Sequence, residues 1–383
     1  MESLTDEAEI SWYQHWGPCK RTLEVLNEDG VCNIGTHNVN SFPDQNEPKL
    51  VRMHQTYKDM HVVGMSELNR NWSRMSEKDQ LRNKFKKLWR NKRIKTTWLR
   101  EKNWKFSKVQ QGGVALMARG EAATYTQDVS EDSHGLGRWN WMCLEASSVN
   151  EKTAIFQIYR PKKNIEDAGS SYMQQKAMMK TNECPLVRFS QDLLKQIDDI
   201  ILEGFQIILM GDFNIDLTSK DPLIEELKKR GIVDIMEQKH EYKGVPNTRS
   251  PGSKPIDGIF SSKSLEVIRC GYDAGDPMMS DHRFVWAQFS WRSMLGDTRA
   301  KVCSHKERRL QTKYKKVTKK FNELLEEQIE IHKLLDKAIK LYEGTEDGVP
   351  LTDEQGTQYE KLDHQLTRAV ACCERRCRKL YPR

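Results

Sequence analysis

The chain has 383 residues, 37% hydrophobic and 31% charged, with a mean hydropathy of −0.77 and no apolar run near the roughly 18–20 residues of a membrane span. Its start, MESLTDEAEI, lacks the apolar stretch of a secretory signal, and its nine cysteines form no C-x-x-C, so neither a disulfide framework nor a zinc ribbon is expected. The net charge of +7 is concentrated: residues 82–105 hold eleven Lys/Arg against one acid, residues 301–320 hold nine against one, and the rest carries −11, a distribution suited to a polyanion track.

Residues 1–30 read as a polar N-terminal arm. From residue 31, short apolar runs alternate with loops. HVVGMSE (61–67), GGVALMA (112–118), WNWMCLEA (139–146), TAIFQIY (153–159), FQIILMGD (205–212) and FVWAQF (284–289) have the length and flanks of strands. After Pro185, the residues Leu186, Phe189, Leu193, Ile197, Ile200 and Ile201 recur at helical spacing. A second helix is expected over 222–230, opening at Pro222 and closing at Gly231. Strands mixed with helices, without strict βαβ repetition, predict an α+β domain over 31–291, a sandwich of sheets with outer helices. The region 292–383 reads as basic and helical. Phe321, Leu324, Gln328, Ile331, Leu335, Ala338 and Tyr342 follow a 3-4 spacing, and Thr352 with Gln355 resembles a capping box opening another helix. These helices form either a hairpin packed on itself or on the main domain, or a short coiled coil for self-association.

Four segments place polar residues at the ends of expected strands. They are IGTHNVNSF (34–42) with Asn38 and Asn40, VVGMSELN (62–69) with Glu67, IILMGDFNID (207–216) with Asp212 and Asn214, and MSDHRF (279–284) with Asp281 and His282. PIDGIF (255–260) adds Asp257. Each alone has a plainer meaning. An Asp-His pair is commonly a turn, Gly-Asp-Phe-Asn an Asx cap, Glu67 a surface ion pair and Asp257 a buried cap. Together they form an oxygen-rich donor set with one histidine. That set suits Mg²⁺ or Mn²⁺ rather than zinc, and phosphoryl-oxygen chemistry.

On HNVNSF, VVGMSE, GGVALMA, IYRP, GDFN, PIDGIF and SDHR the chain resembles the endonuclease/exonuclease/phosphatase superfamily over about residues 31–291. GRWNW, IYRP, SYMQQ and PNTR…PIDGIF look like the endonuclease domain of non-LTR (LINE-type) retrotransposons, although these signatures are looser. The resemblance implies a DNase I-like, four-layered α/β sandwich of two sheets flanked by helices. It implies metal ligation by Glu67, Asn38 and Asp281, and contact of Tyr159 with the scissile phosphate. Asp212 would orient or activate the attacking water, and Asn214 would hold a phosphate oxygen. His282 would stabilise the phosphate with Asp257 as its hydrogen-bond partner, and Thr248 would lie on the substrate side. Asn40 stands where several DNA-repair relatives carry an acid, which puts a second metal position in doubt. The 44 residues between Glu67 and Gly112 exceed the spacing of many relatives and include the basic segment.

Within that segment Trp89, Lys92, Arg93 and Trp98 read as DNA contacts, cations for phosphates and aromatics for bases. The other reading is an amphipathic helix with a buried stripe through Phe85, Leu88 and Trp89. The leading expectation is a Mg²⁺-dependent DNA endonuclease that nicks DNA as in target-primed reverse transcription. It acts inside the cell, in cytosol or nucleus, with DNA as partner, no membrane and no organic cofactor. Alternatives are a phosphoesterase of the same fold acting on RNA, inositol phosphate or a lipid headgroup, and a non-catalytic nucleic-acid-binding protein.

Overall fold

The computed structural model describes residues 12–17, 22, 28–43, 48–85, 92–100, 109–146, 151–179, 182–241, 244–296, 314–345 and 351–377. The chain divides into two compact units, Met1–Val302 and Cys303–Arg383. The first contains two six-stranded sheets. One has the order β11-β12-β1-β2-β4-β3, with β1 Val31–Asn38, β2 Val62–Ser66, β3 Lys92–Thr97, β4 Val114–Arg119, β11 Val267–Tyr272 and β12 Val285–Ser290. The other has the order β5-β6-β7-β8-β10-β9, with β5 Thr126–Glu131, β6 Trp139–Glu145, β7 Lys152–Tyr159, β8 Gln206–Asp212, β9 Ile232–Asp234 and β10 Asp257–Ser262. The pairs β1/β2 and β7/β8 are parallel and the other pairings antiparallel.

Both faces of the central strands are covered, so alternate side chains enter different cores. In β8, Ile208 and Met210 join the core between the sheets, whereas Ile207 and Leu209 meet the helix Pro185–Leu202 through Phe189, Leu193, Ile197 and Ile200. In β2, Val62 faces the inter-sheet core, while Val63 and Met65 face a third cluster built with Met53 and Tyr57 of the helix Pro48–Tyr57. The layers are therefore helix, sheet, sheet, helix, the four-layered α+β sandwich expected from sequence. The helix Pro222–Lys229 also forms, with Asp221 Oδ1 accepting from the Leu223 amide at 2.8 Å.

Counting inward along alternate positions puts Thr36 and Asn38 of β1, Gln157 and Tyr159 of β7, Asp212 of β8 and Asp257 of β10 on the inter-sheet side. The inner face thus changes from apolar to polar toward one end. Thr36 Oγ1 donates to Gln157 Oε1 at 3.0 Å across the sandwich. Gly64 of β2 makes room for this pair, since a Cβ there would lie 1.7 Å from Gln157 Oε1.

The basic segment does not continue as one helix. A short helix, Leu81–Lys84, is followed after residues 86–91 by the edge strand β3, which carries Lys92 and Arg93. The alternation Lys-Arg-Ile-Lys-Thr-Thr suits an edge with one half-exposed face. Leu88, Trp89 and residues 301–313 lie outside the described residues.

The second unit contains the helices Lys315–Ile331, Leu334–Glu343 and Asp353–Cys377. The 3-4 pattern expected from Phe321 to Tyr342 is interrupted where Lys333 adopts a left-handed backbone (φ 47°). Val317, Leu324, Cys373 and Cys377 form its small core. The Thr352–Gln355 capping box forms in both directions, at 2.9 and 3.3 Å. Among the described residues, no helix is long and apolar enough to cross a membrane.

Candidate active site

Strand register brings the polar residues to one end of the sandwich. Asn38 pairs with Ser66, the residue before Glu67, across the parallel strands β1 and β2. Tyr159 pairs with Asp212 across β7 and β8, and Asp257 pairs with Asp212 across β8 and β10. The carboxyl ends of four strands and the start of β10 therefore meet at one place.

Asp212 is the centre of this group and is 1% exposed. Its Oδ2 accepts from Asn38 Nδ2 at 2.8 Å and from Asn214 Nδ2 at 3.3 Å, and its Oδ1 accepts from the Asn214 amide at 2.8 Å. Burial, with the nearby carboxylates of Asp257 and Glu67, pushes the Asp212 carboxyl well above its ordinary range, while His282 and Asn38 pull against this. Asn214 Nδ2 also donates to the Arg160 carbonyl at 2.8 Å. Asn40, Glu67 and Asn214 have φ of 38°, 50° and 50°, so three non-glycine residues of the site hold left-handed backbone.

His282 and Asp257 form a buried pair, Nδ1 to Oδ2 at 2.7 Å. Burial alone would lower the imidazole pKa, but Asp257, Asp212 and Asp281 overcome it and raise it to about 9. His282 is therefore an imidazolium at neutral pH. Tyr159 donates to Glu67 Oε1 at 2.6 Å. Its phenol is driven well above its usual pKa by burial and by Glu67, so it stays protonated.

Asp281 sits at the rim, half-buried, accepting from Asn40 Nδ2 at 3.0 Å and from Arg249 Nε at 3.1 Å. Burial raises its carboxyl, but His282, Asn40 and Arg249 together hold it below the ordinary value. The Asn40 amide donates to Asn38 Oδ1 at 2.9 Å, which turns Asn38 Nδ2 toward Asp212. Asn40 is thus part of the network, as its place two residues after Asn38 in HNVNSF could have signalled.

Thr248 is fully buried, and its hydroxyl accepts from the amides of Ile256 at 2.9 Å and Asp257 at 3.1 Å. It supports Asp257 from behind, so the structure does not place it on the substrate side. Lys92, Arg93 and Trp98 belong to the β3 edge, where Trp98 is half-buried and stacked by Arg100 at 5.0 Å.

The donors nearest one another are Asp212, Asp257 and His282, each offering an atom within 4.8 Å of the others. Asp257 Oδ1 is buried with no hydrogen-bond partner among the described residues. Carboxylate oxygens of Glu67, Asp212 and Asp257, one of them bare, fit a hard divalent cation, which would offset the repulsion that raises Asp212. Asn38 Oδ1 and both Asp281 oxygens have protein donors, as have both Asp212 oxygens and Glu67 Oε1, so among these groups Asp257 Oδ1 is the buried oxygen without a partner.

Among solved structures, the AP endonuclease LMAP from Leishmania major shares 14% identity, covering 75% of this chain and 96% of that one, with a TM-score of 0.51. The Xenopus laevis APE2 catalytic domain shares 16% identity over 67% of this chain and 91% of its own, with a TM-score of 0.49. A 3′ phosphatase from Neisseria, NExo, bound to a product DNA hairpin, shares 20% identity over 68% of this chain and all of its own, with a TM-score of 0.46. No curated protein matches the sequence. The sequence profile of the Endonuclease/Exonuclease/phosphatase family matches residues 35–282, well over half of the chain and all the strand ends that meet at Asp212. The chain belongs to the endonuclease/exonuclease/phosphatase family.

Proposed function

We propose that the protein is a divalent-metal-dependent phosphodiesterase that nicks DNA. The observation that carries this reading is the Asp257–His282 pair beside buried Asp212, which sets a cation and an oriented carboxylate side by side. A bound Mg²⁺ or Mn²⁺, held by Glu67 and Asp212 with Asp257 nearby, would supply positive charge against the phosphate. Asp212, fixed by Asn38 and Asn214, orients a water for attack on phosphorus. The phosphate oxygens face imidazolium His282, whose ring is held by Asp257. Tyr159 keeps its phenol proton on Glu67, which fixes the two side chains together beside the scissile group.

The finer reading, a retroelement-type nickase acting on nuclear DNA, is supported by GRWNW, IYRP, SYMQQ and PNTR…PIDGIF and by the basic segment leading into β3. Residues 31–291 as the nuclease and 292–383 as a helical appendage are part of the same proposal. So is self-association through the C-terminal helices, where Leu335, Ile339 and Tyr342 lie exposed at helical spacing.

Incubation with supercoiled plasmid tests the activity. Relaxed circles are expected with Mg²⁺ and none with EDTA, and Glu67→Ala and Asp212→Asn each remove nicking while DNA binding persists. Phosphate release from inositol phosphates in place of nicking would turn the reading toward that substrate. Salt-sensitive DNA binding without cleavage under any divalent ion would make the protein a binding module.

A further inference from the structure

We infer that His37 is a positioning residue for the catalytic histidine, clamping the backbone of His282 through an imidazole whose second nitrogen is held by Tyr57. Its kinetic consequence rests on the phosphodiesterase reading above; its geometry does not.

His37 lies on β1 beside Asn38, with its side chain on the opposite face, away from the reacting groups. It is 1% exposed. Its Nε2 lies 3.1 Å from the carbonyl oxygen of His282, and its Nδ1 lies 2.8 Å from the Tyr57 hydroxyl. A carbonyl only accepts, so Nε2 carries a proton. Both partners are uncharged, and a buried imidazole between them is neutral, so Nδ1 is bare and needs a donor. The Tyr57 hydroxyl supplies it. The rings of Tyr57 and Phe284 stand edge-on to His37, with centroids at 6.2 and 5.9 Å, and prevent the imidazole from turning. Phe284 reaches this position because Gly35 has no Cβ, which would lie 2.1 Å from its ring.

The residue so held is gripped at three points. The His282 amide donates to Ser280 Oγ at 3.1 Å, and Ser280 Oγ in turn donates to the Asn38 carbonyl at 2.6 Å. The His282 carbonyl accepts from His37, and the His282 ring is held by Asp257. Consecutive residues of β1 therefore fix the His282 backbone from one sheet, while Asp257 aims its ring from the other. Loss of the His37 clamp leaves the ring bond intact, with the flanking main chain still bonded to Thr248 and Ser250, and releases the His282 carbonyl. Displacements of about 1 Å at a reacting group cost up to about 100-fold in rate.

The test combines kinetics with nitrogen-15 NMR of histidine-labelled protein. His37→Phe is expected to lower kcat by about 10- to 100-fold with little change in KM, because the clamp touches no substrate. His37→Gln keeps a donor for the carbonyl and is expected to recover most of that loss. Tyr57→Phe takes the donor from Nδ1 without touching His37 or His282; it should lower kcat and shift the Nδ1 signal of His37, while the Nε2–H that the carbonyl requires persists. The double variant should be no worse than His37→Phe alone. Wild-type kcat with unchanged His282 ring signals in a folded His37→Phe, or additive effects in the double variant, would overturn the proposal. If the wild type cleaves no phosphodiester, the activity reading fails separately. The spectra then decide: displaced His282 signals in His37→Phe and Tyr57→Phe support the clamp, and unchanged ones refute it.

Discussion

Asn38 Nδ2 lies 2.8 Å from Asp212 Oδ2, tying the end of β1 in one sheet to the end of β8 in the other. The bond makes the site a property of the sandwich rather than of either sheet. It also spends the Asn38 amide hydrogen on the carboxylate that burial and like charges destabilise most.

Replacing Asn38 therefore acts on Asp212. Asn38→Ala removes a hydrogen bond to a buried carboxylate, an interaction contributing about 1.5–3 kcal/mol. Asn38→Asp adds a further negative charge to a site already crowded with them. Plasmid nicking should fall for both and further for Asn38→Asp, with thermal melting lowered in each. An Asn38→Asp protein that nicks at the wild-type rate would show that Asp212 is not the group that matters.

The Asp257–His282 pair predicts a pH window. The folded pKa of His282, about 9, lies above the ordinary value of 6.5. Protonation therefore favours the folded state. Its contribution, about 3 kcal/mol by linkage, is fully present below about pH 6.5 and is lost as pH rises through about 9. Melting temperature and nicking rate should both decline on that alkaline limb. In Asp257→Asn the limb should move toward lower pH, because the largest raising influence is gone. Melting curves and initial rates between pH 6 and 10 measure both.

Metal binding has a readout that needs no turnover. A cation that binds only the folded chain raises the melting temperature, by mass action about 2.7 kcal/mol at 100 times its dissociation constant. Mg²⁺ or Mn²⁺ is expected to raise melting of the wild type, and EDTA to reverse it. Glu67→Gln and Asp212→Asn should blunt the rise. An equal rise in both variants would place the ion elsewhere.

Gly64 tests how closely the two sheets must approach. Any side chain there meets Gln157, which Thr36 holds in place. Gly64→Ala is expected to destabilise by about 1–3 kcal/mol through overpacking. Gly64→Ala with Gln157→Ala should recover part of the loss, as chemical denaturation can measure. Failure of the second change to recover anything would mean that Gln157 is not what limits the approach.

The six strands expected from apolar runs are β2, β4, β6, β7, β8 and β12, all interior to their sheets. Of the six without that signal, β3, β5, β9 and β11 are the four sheet edges, and β1 and β10 are interior strands interrupted by polar residues. Interior strands are covered on both faces and most read as apolar runs, while β1 and β10 bury hydrogen-bonded polar residues of the site end; Lys92–Thr97 and Thr126–Glu131 carry polar side chains to solvent. The candidate site divides in the same way. Glu67, Asp212 and His282 stood out as polar residues ending apolar runs. The inward parity of Asn38, Tyr159, Asp212 and Asp257 could be counted once the strands were known. The burial of Thr248 could not, because its partners lie eight and nine residues away in a loop whose path no periodicity records. His37 was still less visible, since its partners are 20 and 245 residues away.

In chain order, β5 to β10 build one sheet between the two portions of the other, so β12 returns to lie beside β1 with Ser290 opposite Val31. A ribosome delivers Asn38, Glu67 and Asp212 long before it delivers His282, which precedes the closing strand by three residues. The nascent polypeptide therefore emerges without its imidazolium, and the cluster around Asp212 is completed only as the last of the described strands is threaded into place.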